Sequence, residues 1–126
     1  MARILIAEDD DPVRAIVKRA LELDGHEITA EIDGAAALDR LIEEHGRFDM
    51  LLSDIRMPLM DGIALALAAA REFPSLPILL MTGYAEQRER AHDLVAIIED
   101  VVTKPFSVAE IRAAVSKVLE SRAIVS

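Results

Sequence analysis

Five short apolar runs alternate along the chain with longer stretches of helical periodicity. The first run, Arg3–Ala7, reads Arg-Ile-Leu-Ile-Ala and is apolar without alternation, as a strand buried on both faces should be. Asp11-Pro12 then reads as an N-cap followed by proline at the first helical position. Val13, Ile16, Val17, Ala20 and Leu21 recur at helical spacing, and Gly25 is placed as a stop. The cycle repeats with strands expected over 27–32, 50–53, 77–82 and 101–103. Helices are expected from the Asp33 cap to about 44 (ended by Gly46), over 62–72, over 87–98, and from the Ser107 cap to about 121. Val108, Ile111, Val115, Val118 and Leu119 share one face of the last helix. Strict alternation of strand and helix predicts an α/β fold, a parallel sheet with helices on both faces. One domain over 1–121 and a short tail over 122–126 are expected, with no repeat, linker or low-complexity tract.

Composition narrows the function classes. Apolar residues make up 52 % but aromatics only 3 %, so Leu, Ile, Val, Ala and Met must build the core. A formal net charge of -9 argues against nucleic acid or an anionic membrane as partner. The absence of cysteine removes disulfides, thiolate metal sites and a cysteine nucleophile. No run reaches the roughly 18–20 apolar residues of a membrane span. Met1-Ala2-Arg3 leads straight into the first strand, without the apolar stretch of a signal peptide, so a cytoplasmic protein is expected.

In an open α/β sheet, sites form just beyond the carboxyl ends of the strands. The first strand is followed by Glu8-Asp9-Asp10-Asp11, the third by Asp54, the fourth ends in Thr82, and the fifth is followed by Lys104-Pro105. Each alone has a bland reading: a solvated turn or helix cap, a strand end, a surface lysine. Together, each at the end of a different strand, they place carboxylates, a hydroxyl and an ammonium on one edge. Clustered carboxylates need a cation or raised pKa values. Oxygen-only ligands favour a hard ion, and Mg²⁺ is the natural candidate. A carboxylate beside such an ion can attack phosphorus, and phosphoryl transfer is mostly positioning and electrostatics. Elsewhere, His26, His45 and His92 lack ligand spacing and read as surface residues, while Met57 and Met60 read as packing.

The stretch Asp54-Ile55-Arg56-Met57-Pro58-Leu59-Met60-Asp61-Gly62 is similar to the Asp-x-x-Met-Pro-x-Met-Asp-Gly loop of two-component response regulator receiver domains. With Glu8-Asp9-Asp10, Thr82-Gly83 and Lys104-Pro105-Phe106, the chain resembles that family from about 3 to 119. The resemblance implies a flavodoxin-like, doubly wound five-stranded parallel sheet in order 2-1-3-4-5 with five helices. It implies Asp54 as phosphoryl acceptor, with Thr82 as switch hydroxyl and Lys104 contacting the phosphoryl group across a cis lysine–proline bond. Mg²⁺ would be held by Asp9 directly, Glu8 through water, Asp54 and the backbone carbonyl of Arg56. The implied donor is a histidine kinase or histidine phosphotransferase.

The chain departs from the family pattern at Glu8, often aspartate, and at Val101, often a tyrosine or phenylalanine switch. Tyr84 is therefore expected to gate the site instead. No output domain follows the matched segment, so the output is expected from the receiver surface. The stretches 51–58, 81–85 and 87–91 are similar to the CpdR type of single-domain regulators. That type couples a phosphorelay to ClpXP proteolysis in the cell cycle, which implies the ClpX unfoldase as effector, engaged by the unphosphorylated form. A phosphoryl shuttle or phosphate sink without its own effector is the alternative. A metal-dependent phosphatase is disfavoured, because Arg56 stands where such an enzyme carries its acid/base aspartate; an enzyme is not expected.

Overall fold

The computed structural model describes residues 2–83, 89–91, 93–94 and 96–125. The strands are β1 (Arg3–Ala7), β2 (Glu27–Glu31), β3 (Met50–Asp54), β4 (Ile78–Thr82) and β5 (Asp100–Thr103). Four helices lie among the described residues: α1 (Asp11–Leu23), α2 (Gly34–Glu43), α3 (Gly62–Glu72) and α4 (Val108–Val125). The strands form one sheet in the order β2-β1-β3-β4-β5, every pair parallel. This is the doubly wound, flavodoxin-like order expected from the resemblance.

The apolar runs divide by the two-residue period of a strand into two cores. Leu5, Ala7, Leu51, Ile78 and Leu80 pack with α2 and α3 on one face. Ile4, Ile6, Met50, Leu52, Leu79 and Met81 pack with α1 and α4 on the other. β3 and β4 are buried along their whole length, while the edge strands β2 and β5 are only partly covered. Burial of each such Leu or Ile stabilises the fold by about 1.5–3 kcal/mol before entropy is set against it. Among the described residues, no helix is long and apolar enough to cross a membrane.

Local signals fix most boundaries, with corrections. Asp10, not Asp11, is the N-cap of α1: its extended backbone lets the carboxylate accept from the Val13 N–H at 3.1 Å, leaving Asp11 and Pro12 inside the first turn. Asp33 caps α2 by accepting from the Ala36 N–H at 2.8 Å, as expected. Ser107 and Glu110 form a reciprocal capping box at the start of α4, both bonds 3.0 Å. α4 continues to Val125 where periodicity predicts an end near 121, since no glycine or proline intervenes to stop it. Val108 is half-exposed and off the core face assigned to it, because it opens the helix before the first full turn packs.

Of the helix expected over 87–98, residues 89–91 are helical, Ala91 is buried, and Leu94, Ile97 and Ile98 pack on the core. Tyr84 and His92 lie outside the described residues. His45 is exposed, as read from sequence, but His26 is half-buried and its Nδ1 accepts from the Ala2 N–H at 3.1 Å. The parallel register of β1 and β2, with Arg3 beside Glu27, sets Ala2 next to this imidazole and gives it a structural partner that no local pattern announces.

Candidate functional site

Sheet register brings the acids together. Ala7 pairs with Ser53 across β1 and β3, so the next residues, Glu8 and Asp54, emerge side by side. Asp54 pairs with Met81, and Thr82 pairs with Thr103, which places Thr82 one step along and Lys104 just beyond β5. Glu8 and Thr82 are fully buried, Asp54 is 7 % exposed, and Asp9 is exposed. Ligand-type oxygens of Glu8, Asp9 and Asp54 all lie within 4.8 Å of one another. Lys104 Nζ lies 2.7 Å from Glu8 Oε1 and 3.2 Å from Asp54 Oδ2. Its own backbone N–H donates to the Thr82 carbonyl at 2.7 Å, and the Lys104-Pro105 bond is cis, as the resemblance implies.

The loop after β3 holds the Asp54 carboxylate from the other side. The Ile55 N–H donates to Asp54 Oδ1 at 2.9 Å, leaving Oδ2 toward Lys104. The chain then passes the exposed Arg56 and turns at Leu59, whose φ of 67° lies in the left-handed region. It returns so closely that the Gly62 N–H donates to the Ile55 carbonyl at 2.7 Å. Asp61 caps α3 through the Ala64 N–H at 2.8 Å and also faces Arg90 at 3.4 Å. Met57 is buried and Met60 packs against the core, the bland role expected of both. Val101 is half-buried and packs against the same core, so at this position the chain has an aliphatic contact instead of an aromatic rotor.

Two of the four acids after β1 serve the helix and not the cluster. Asp10 caps α1, and Asp11 pairs with Arg14. Arg14 also donates from Nη1 to the Glu8 carbonyl at 2.9 Å. No sequence signal marks that contact, since its acceptor is a backbone atom.

Burial, and then the neighbouring Asp54 carboxylate, push the Glu8 pKa above its ordinary value, although the hydrogen bond from Lys104 opposes the shift. Burial and the Glu8 side chain also raise Asp9. Burial works against the charge on Lys104, but its hydrogen bond to Glu8 and the attraction of Asp54 outweigh it, and its pKa lies above the ordinary lysine value. A cluster of three carboxylates with only oxygen donors, in which Glu8 and Asp9 are pushed up, is under-compensated by one ammonium. It fits a hard divalent cation.

A pH dependence follows. Glu8 is raised in the fold, so its contribution to stability is full below the unfolded carboxylate pKa and is lost as pH rises through the folded value. Without divalent cation, Glu8→Gln should be more thermostable than wild type near about pH 8, and the gap should close toward about pH 5. Added Mg²⁺ should shrink the gap from the wild-type side. Thermal unfolding at fixed ionic strength, with chelator or Mg²⁺, reads this, and a pH-independent gap would refute it.

Comparison with known proteins gives the same picture. A sequence model of the response regulator receiver domain matches residues 4–116. The chain is 40 % identical over 119 residues to the response regulator receiver protein CpdR of Brucella abortus, covering 94 % of this chain and 98 % of that protein. It is 34 % identical to the transcriptional regulatory protein PrrA of Mycobacterium leprae, covering 95 % of this chain but only 51 % of PrrA. Among solved structures, response regulator TrrA of Thermotoga maritima in complex with Mg²⁺ and BeF superposes with a TM-score of 0.83 at 28 % identity, over 94 % of this chain and 99 % of TrrA.

Proposed function

Since the chain belongs to the response regulator receiver domain family, a family of regulatory domains and not of enzymes in their own right, we propose that it is a cytoplasmic phosphorelay switch whose acceptor is Asp54. The observation that carries this reading is a nearly buried carboxylate with one oxygen held by the Ile55 N–H and the other facing the Lys104 ammonium, beside two further acids.

An Asp54 carboxylate oxygen attacks the phosphorus of a phosphohistidine. The O–P bond forms as the N–P bond breaks, and the donor imidazole leaves with the electron pair. Lys104 stands ready to follow the transferred oxygens. Thr82, at the end of the neighbouring strand, is the hydroxyl that would turn toward them. Asp9, Asp54, Glu8 and the backbone carbonyl of Arg56 would hold Mg²⁺, which supplies positive charge for the incoming phosphoryl group. A phosphoryl group adds about −1.5 to −2 charge at this edge, enough to bias Thr82 and the Lys104–Ser107 turn.

Within this reading, residues 1–121 form the receiver unit and the output is its surface. The likeness to CpdR spans almost that whole protein, which supports a stand-alone adaptor over a receiver serving an attached output domain. The effector proposed is the ClpX unfoldase, bound by the unphosphorylated form, with control of ClpXP-type proteolysis and the cell cycle as the consequence.

The test uses immobilised protein, untreated or loaded with Mg²⁺ and beryllofluoride, offered purified ClpX. Capture by the untreated form, lost on loading, is the expected result. Uptake of labelled phosphoryl from a phosphohistidine donor, with no capture in either state, would instead leave a phosphoryl shuttle or sink.

A further inference from the structure

The geometry points to Arg14 as the positioning residue that sets the shape of the metal-binding turn after β1. This rests on the metal site proposed above. Arg14 lies in the first turns of α1, yet its guanidinium reaches back under the turn that precedes the helix. Nη1 donates to the Glu8 backbone carbonyl at 2.9 Å, and Nη2 pairs with the Asp11 carboxylate. The Arg14 backbone N–H donates to the Asp10 carbonyl at 2.9 Å, and the side chain is only 20 % exposed. One residue thus clasps both ends of Glu8-Asp9-Asp10-Asp11.

Four consecutive acids repel one another and favour an open turn. Lys104 offsets the charge from the cluster side, at Glu8 and Asp54. Arg14 offsets it from the helix side without entering the cluster, because its acceptors are a main-chain carbonyl and an acid that faces away from the site. The planar fork is what allows this. Two diverging N–H groups meet two acceptors at once, which a lysine ammonium at the end of a flexible stem holds far less firmly. The residue most dependent on the clasp is Asp9. It is exposed, and its carboxylate, which meets the Glu8 side chain, is carried by the backbone between Glu8 and Asp10. Partners that hold ligands in place without touching the ion typically carry about 10–100-fold of metal affinity.

The experiment measures Mn²⁺ binding by water-proton relaxation, with amide exchange of residues 9 and 10 in metal-free protein as a second readout. Arg14→Gln should weaken Mn²⁺ binding about ten-fold and speed that exchange. Arg14→Lys should fall between it and wild type, and Asp11→Asn, which unfastens the far end of the clasp, should weaken binding in the same direction. Phosphorylation by acetyl phosphate should recover in Arg14→Gln as Mg²⁺ is raised, since the defect lies in affinity. If Arg14→Gln fails to fold, Arg14→Lys and Asp11→Asn decide the matter alone. Mn²⁺ binding in the variants equal to that of wild type overturns the assignment of Arg14 while leaving the metal site standing. A wild type that binds no Mn²⁺ overturns the metal site and this assignment with it.

Discussion

Asp54→Asn protein, incubated with a phosphorylated histidine donor and Mg²⁺, should take up no label at a time when wild type is saturated. The expected loss in rate is on the order of 10³ or more, the scale on which removal of a nucleophile acts. The substitution is nearly isosteric, so the amide oxygen can still accept from the Ile55 N–H that now holds Oδ1 at 2.9 Å. What disappears is the charge, and with it both the proposed nucleophile and one of the three acids of the cluster. Lys104 keeps its 2.7 Å bond to Glu8, and one like charge is removed from beside a buried carboxylate whose pKa is already raised. Folding stability should therefore hold or increase, which separates loss of chemistry from loss of fold. Full labelling of Asp54→Asn would overturn the assignment of the acceptor.

Gly62→Ala should be severely destabilising, by about 2–3 kcal/mol or more, with a fall in Tm on the order of 10 °C. Helix propensity alone predicts the opposite sign, since alanine is favoured over glycine by about 1 kcal/mol within a helix. The tertiary contact decides. A Cβ at Gly62 would lie 2.1 Å from the Asp54 carbonyl oxygen and 2.8 Å from the Ile55 Cα, and both are backbone atoms that cannot rotate away. Relief requires α3 to back off from the end of β3, or β3 to yield, and either one moves Asp54. Phosphorylation should slow in the fraction that still folds. Chemical denaturation gives the stability change, and Gly25→Ala is the control: it has open space around the new Cβ and only a φ of +90° against it, a strain of about 1–2 kcal/mol. A Gly62→Ala protein as stable as wild type would contradict the close approach of α3 to β3.

Much of the fold was legible because its signals are local. The strand–helix alternation, the caps at Asp33 and Ser107 and the stop at Gly25 depend on residues within a few positions of one another. Local signals are ambiguous where two neighbours could do one job. Asp10 and Asp11 both suit an N-cap, and the backbone conformation at Asp10 settled it. By residue type alone Glu8 and Asp9 cannot be told from Asp10 and Asp11; the family resemblance singles them out, and the Ala7–Ser53 register shows why they meet Asp54. His26 and Arg14 were not legible as contacts, since each pairs with a backbone group whose position depends on how the chain folds back.

Periodicity, turn chemistry and the Asp54–Gly62 motif, all written in short stretches of chain, carry the α/β class, the candidate acceptor and the residue types of the site. The partnerships come from the folded chain: Lys104 closer to Glu8 than to Asp54, Arg14 bonded to the acidic turn, Gly62 pressed on the backbone of Asp54. These join residues up to 96 positions apart. Parallel strand register and helix docking set such distances, and both are global outcomes of burying two cores at once.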